Sequence, residues 1–224
     1  MDPFLQKLFQ DQVWTQCKFA TFAYDALVER LPELNEEKGP SADYLALVGL
    51  PSNELIARGS EVALERAFRI WFPIQSFLSA TANISKILWG SEPAVAQARA
   101  RLREALKVSD ASPLRSRLMR NNFDHFDSRV DIWWGKSSTH NFVDMNFGDM
   151  AAMTEGVPED DMFRNMDLHT GDVVFWGQRY NLPSINTEIR RIMPMAFREA
   201  TKEPSRPDPS SAARCDTDSA PKSR

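Results

Sequence analysis

The chain has 224 residues, of which 42% are hydrophobic and 26% charged, and its formal net charge is −4. That length supports one sizeable core and is short for two ordinary domains, and the composition is globular rather than disordered or membrane-embedded. The acidic total argues against indiscriminate nucleic-acid binding, although from Arg99 to Arg120 seven Lys or Arg face two acids, and from Asp144 to Asp172 eight acids face one Arg.

Residues 1–9 lack the basic start and apolar run of a signal peptide, so export is not expected. From Phe4 to Leu31 a wide helical stripe (Leu5, Leu8, Phe9, Val13, Phe19, Ala20, Tyr24, Leu27) predicts a first helix closed by Pro32. Residues 33–59, with Pro40, Pro51 and three glycines, read as a long connection around a short apolar stretch at 44–50. A second helix runs from Ser60 to Trp89, with Pro73 expected to kink it. Its uncharged stretch from Ile70 to Ser85 falls short of the roughly 20 apolar residues a membrane span needs. Ser91-Glu92-Pro93 starts a third helix that ends before Ser109, and Ser112-Pro113 repeats that signal for a fourth.

Beyond Gly135 the helical period lapses, and residues 136–182 read as an insert. Within it Phe163–Asp167 and Val173–Trp176 predict a β-hairpin turning at His169 to Asp172. Leu182-Pro183-Ser184 opens a last helix with Ile185, Ile189, Ile192 and Phe197 on one face, bent at Pro194. Residues 201–224 hold no Leu, Ile, Val or Phe and are expected to form a disordered tail. The chain therefore reads as one mainly α-helical domain over residues 1–200, with a small hairpin before its last helix. Two cysteines, Cys17 and Cys215, form neither a disulfide framework nor a metal-ligand pattern, which fits a reducing cytoplasm.

The fourth helix carries the chemistry. On a helical wheel Met119, Phe123, Phe126, Val130 and Trp133 share a narrow arc, the core face. His125 falls nearly opposite, beside Asn121 and Arg129 one turn away, while Arg120 lies on a flank roughly 140° from it. His125 is thus not a core histidine. Exposed histidines on helices are commonly idle, however, and Asp124 and Asp127 would pair with Arg120 along a solvated face. On spacing alone that plainer reading outweighs a catalytic one.

The run Leu118-Met119-Arg120-Asn121-Asn122-Phe123-Asp124-His125-Phe126-Asp127 resembles the defining helix motif of the HEPN superfamily, an Arg, a polar residue, a short spacer and a His. The segment FRNMDLHTGDVVFWGQRYNL, residues 163–182, is similar to a group of bacterial HEPN-like proteins. The resemblance covers roughly residues 60–200 and is strongest at 114–135 and 160–195. It implies an up-and-down helical bundle that forms a homodimer by bringing two motif helices together. It also implies metal-independent endoribonuclease activity of the kind found in toxin and antiphage systems, with a regulatory protein partner, or a bundle that has lost activity and serves as a binding module. The connection at 33–59, the acidic stretch at 144–172 and the hairpin depart from that plan.

On that reading Arg120, Asn121 and His125 are the expected catalytic residues, with no metal or cofactor. Metal-free RNA cleavage needs a base at the 2′-hydroxyl, a cation on the phosphoryl oxygens and an acid for the leaving oxygen. Arg99, Arg103, Arg115, Arg117 and Arg129 are the candidate substrate-binding residues along the RNA backbone; arginines on an exposed face would equally serve only to hydrate it. The three histidines His125, His140 and His169 make no two-His ligand pair, and no phosphate-binding glycine loop or Gly-x-Ser-x-Gly element occurs. The competing class is an interaction protein, with Trp134, Phe142 and Phe147 lining a groove or packing the insert onto the bundle.

Overall fold

The computed structural model describes residues 1–36, 52–150 and 155–202. Seven α-helices and one small sheet are found among them. Helix α1, Pro3–Glu36, starts where Asp2 accepts the backbone N–H groups of Phe4 and Leu5 at 2.9 and 3.1 Å, with Pro3 at its first position. Val13, Cys17, Ala20 and Leu27 form its buried seam. Burial pushes the Cys17 thiol up to about 12, so it acts as a small apolar side chain.

Helix α2, Ser52–Trp89, runs antiparallel to α1: Tyr24 meets Phe77 at a ring separation of 5.7 Å, and Gln16 accepts from the Asn83 amide at 3.3 Å. Two short helices follow, α3 (Pro93–Ala98) and α4 (Ala100–Ala105), separated at Arg99. The polypeptide continues through α5 (Leu118–Asp124), α6 (Phe126–Lys136), the insert and finally α7, Leu182–Thr201. Asn181 caps α7 by accepting from Ser184 N–H at 2.9 Å. Buried Ile185, Ile189, Ile192, Ala196 and Ala200 then face the core at helical spacing.

Helix α7 lies antiparallel to α1 along its length. Arg190 pairs with Asp25, Phe197 stacks on Trp14 at 5.4 Å, and the Lys7 ammonium donates to the Lys202 carbonyl at 3.2 Å. First and last helices are therefore direct neighbours, and α1 stands between α2 and α7.

The insert builds a four-stranded sheet in the order β1 (Asn146–Gly148), β2 (Asn165–Asp167), β3 (Asp172–Phe175), β4 (Gln178–Asn181). Strands β2 and β3 form the expected hairpin, with Met166 opposite Val173, while β1 joins β2 in parallel. Strand β4 follows β3 through Trp176 and Gly177, whose φ values of 49° and 68° give the left-handed two-residue turn that matches strand twist. The sheet packs on α5 and α6 through aromatic rings. Phe163 lies 5.5 Å from Phe126, 5.7 Å from Trp133 and 5.3 Å from Phe175, and Phe123 reaches Trp71 of α2 at 6.1 Å.

Several expectations are corrected. Pro32 does not end α1, and α2 starts at Ser52 rather than Ser60; of the connection expected over 33–59, residues 37–51 lie outside the described residues. So does the expected tail from residue 203. Ser112-Pro113 opens only a 3-10 turn, Pro113–Arg115. The Arg115 carbonyl is taken by the Ser85 hydroxyl of α2 at 2.9 Å, and Ser116 is extended, so the α-helix begins at Leu118. That helix breaks at His125, whose φ of −108° and ψ of 34° separate α5 from α6. The expected core arc survives the break, with Met119 and Trp133 buried and Phe123, Phe126 and Val130 packed against the core. No helix among the described residues is long and apolar enough to cross a membrane.

Candidate functional site

Before the motif helix lies a solvent-open hollow of about 490 Å³, lined by Ser112, Arg115, Ser116, Arg117 and Asn121 among others. Its walls are tied to the helical frame on two sides. Ser112 donates from Oγ to Glu188 of α7 at 3.0 Å, and Arg191 holds both Glu188, at 2.6 Å, and the Lys107 carbonyl, at 3.0 Å. The Arg191 hydrogen bond keeps the Glu188 carboxyl below the usual range, so this tether stays ionised. Across the hollow, Ser85 secures Arg115 as described, and the Arg115 guanidinium donates to the Asp110 carbonyl at 3.2 Å. The Trp89 indole N–H, 2.8 Å from the Asp110 carboxylate, is the main cause of that group's lowered pKa.

Asn121 belongs to both the hollow and the motif. It stands one turn before His125, which is exposed, and the His125 N–H donates to the Asn121 carbonyl at 3.0 Å. The Arg129 N–H in turn donates to the His125 carbonyl at 3.0 Å, so the hydrogen-bond ladder continues across the break. Arg120 pairs with Asp124 one turn on, and their side chains are 27% and 31% exposed. Arg115, Arg117 and Asn121 thus share one hollow, whereas Arg120 faces a carboxylate of its own helix.

The remaining arginines are engaged in the fold. Arg99 donates to the Ile87 carbonyl at 2.8 Å and also to that of Lys86, and Arg103 donates to the carbonyls of Leu88 and Ala96 at 2.8 and 2.7 Å. Three of these carbonyls lie at the C-terminal end of α2 and the fourth, that of Ala96, lies in α3, so the two guanidiniums tie the end of α2 to the helices that follow, a different task from lining an RNA path. Arg129 donates from Nε to Asn122 Oδ1 at 3.0 Å and covers the Trp176 ring at 5.9 Å.

Asn122 was not among the expected residues. It is buried and donates to Gln178 Oε1 of β4 at 3.1 Å, joining the motif helix to the sheet. Its signal in the sequence was a polar residue three positions after Met119, close to the core arc. Two further unanticipated groupings hold the insert. Asp161 accepts from Ser137 Oγ at 2.6 Å, from Trp133 Nε1 at 2.8 Å and from Thr139, and the Ser137 bond is the main cause of its lowered pKa. Arg164 clamps Asp144 while covering the Phe126 ring at 4.3 Å. Trp134 is exposed with His140 packed against it at 4.3 Å, whereas Phe142 packs on Trp133 and Phe163. Among the described residues no cluster of three or more His, Cys, Asp or Glu could hold a metal ion.

No protein-family model matches the chain, and neither a curated protein nor a solved structure matches it.

Proposed function

We propose that this chain is a metal-independent endoribonuclease of the HEPN type, acting as a homodimer in which the motif helices of two copies meet. The observation that supports it best is the position of Asn121, which lines a hollow flanked by Arg115 and Arg117 and stands one turn before an exposed His125. Arginine guanidinium groups and serine hydroxyls are suited to phosphate oxygens, and a histidine one turn away is suited to moving the proton.

In this reaction His125 takes the proton from a ribose 2′-hydroxyl, and the 2′-oxygen attacks the adjacent phosphorus. The bond from phosphorus to the 5′-oxygen breaks, and that oxygen receives a proton from His125 of the second copy. The products are a 2′,3′-cyclic phosphate and a 5′-hydroxyl. Arg120 exchanges Asp124 for the non-bridging oxygens, where negative charge builds, while Asn121 orients the phosphate and Arg115 and Arg117 hold its neighbours.

Wild type, Arg120→Ala and His125→Ala, matched for folding by circular dichroism, are incubated with mixed RNA in excess EDTA. Cleavage by the wild type to cyclic-phosphate ends, reduced about 10²- to 10⁴-fold in both variants, is the expected result. Identical behaviour of all three proteins would remove the catalytic assignment.

The Arg120–Asp124 pair favours a second reading, an inactive bundle that binds RNA or protein, because the motif arginine is already neutralised within its own helix. That protein would retain RNA on filters after His125→Ala and lose it after joint substitution of Arg115 and Arg117 by Ala.

A further inference from the structure

Helices α1 and α2 bury one side of their hairpin and leave a second apolar seam on another. On α1 the core seam of Ala20 and Leu27 is followed about 100–160° round the helix by Phe19, Ala26 and Phe22. On α2 buried Ala67 and Trp71 are flanked by Leu64, Phe68 and Phe72. The two outer seams converge on one groove of about 720 Å³. Phe19, Phe22, Phe68 and Phe72 are 55%, 61%, 52% and 76% exposed, and Leu64, one turn from Phe68, is 53% exposed. At about 200 Å² for each ring, the four phenylalanines alone present about 500 Å² of apolar surface to water. That is in the upper part of the range of about 300–600 Å² for the largest apolar patch on a monomer, a patch that is often functional.

We propose that this groove is a two-fold interface with a second copy of the chain, in which two α1/α2 hairpins pack back to back as a four-helix layer with a phenylalanine core. The area fits that occupant. Two such faces bury about 1,000 Å² of aromatic surface together, the threshold for a specific interface, before Leu64 and the rim are counted. Of the charged residues, Arg30 and Arg69 line the groove, and Arg69 stands 3.8 Å from Glu65. The α2 edge thus carries both signs and can meet a rotated copy of itself with opposite charges facing, as an isologous contact allows. The groove is formed by α1 and α2 and the catalytic motif by α5 and α6, so this contact does not rest on the nuclease reading; where the motif helices also meet, the two contacts together make a tetramer, and where they do not, this one alone makes a dimer.

The test is sedimentation of the full chain at micromolar concentration beside two variants, Phe22→Asp with Phe72→Asp, and Ala26→Arg, which adds bulk and charge at the groove without removing a ring. The wild type should sediment as a multiple of its 25.5 kDa chain mass, and each variant should halve that mass with helicity unchanged. Should the double variant fail to fold, Ala26→Arg decides alone. A wild type that is monomeric, or an assembly whose mass survives Ala26→Arg, would overturn the proposal. The first outcome would point to another segment of the chain or a different protein as the occupant, the second to assembly through another face. Arg120→Ala and His125→Ala should leave the assembly intact whether or not they cleave RNA, so failure here and failure of the nuclease reading are told apart.

Discussion

Asp161 joins the end of the motif helix to the loop that follows it. Its side chain is buried, and three donors from Trp133, Ser137 and Thr139 converge on it, which holds its carboxyl below the ordinary range. A group whose folded pKa is depressed contributes stability that is fully present above its unfolded value, about 3.9 for Asp, and lost as pH falls through the folded value. Asp161→Asn keeps the shape but turns one acceptor into a donor that meets hydroxyl and indole hydrogens. It should destabilise the protein by about 1–3 kcal/mol at neutral pH, and the gap from wild type should narrow below about pH 4. Urea unfolding at pH 7 and pH 3.5 measures both; a gap of equal size at the two values would show that charge plays no part.

Among the elements, the turn between β3 and β4 tolerates little change at its glycine. Trp176 and Gly177 both have positive φ, and a β-carbon on Gly177 would collide with the Glu159 carboxylate. Gly177→Ala should cost about 1–2 kcal/mol from the left-handed backbone, plus the crowding. Adding Glu159→Ala should recover only the crowding, and a double variant as stable as the Glu159→Ala single would contradict the backbone part. The sequence disclosed elements in proportion to their periodicity. The seams of α1, α2 and α7 repeat over several turns and were legible, as was the alternation that makes the β2–β3 hairpin. Strands β1 and β4, reading Asn-Phe-Gly and Gln-Arg-Tyr-Asn, each carry a single large apolar side chain among polar or glycine neighbours, so only their partners define them. Tertiary bonds also overrode local signals at Ser112-Pro113, where Ser85 takes the Arg115 carbonyl, and at Arg99 and Arg103, which the end of α2 draws inward. The exposure of His125 could be read from the wheel. The hollow could not, because Ser112, Arg117 and Asn121 meet only through the turn that replaces the expected helix start.

At the scale of the whole molecule, the frame is closed by its first and last helices, and pairs such as Lys7 with Lys202 and Asp25 with Arg190 join residues 195 and 165 positions apart. Helical bundles whose neighbours are adjacent in sequence fold fast because each contact closes a short loop. Here the α1/α2 hairpin forms locally, but α7 has to find α1 after everything between them has been placed. We expect Ile189→Val and Ala196→Gly, on the buried face of α7, to accelerate unfolding while leaving the folding rate nearly unchanged, the signature of an interface formed after the transition state. Ile84→Val in α2 should divide its effect between the two rates, and stopped-flow chevrons for the three variants provide the comparison. An equal slowing of folding by the α7 variants would place that helix in the nucleus instead. During synthesis the same topology means that α1 leaves the ribosome with one flank bare, and this flank stays uncovered until about 150 further residues have been made. For that interval an apolar helix face waits for its partner, and chaperone dependence or aggregation of C-terminally truncated chains is where the delay should be felt.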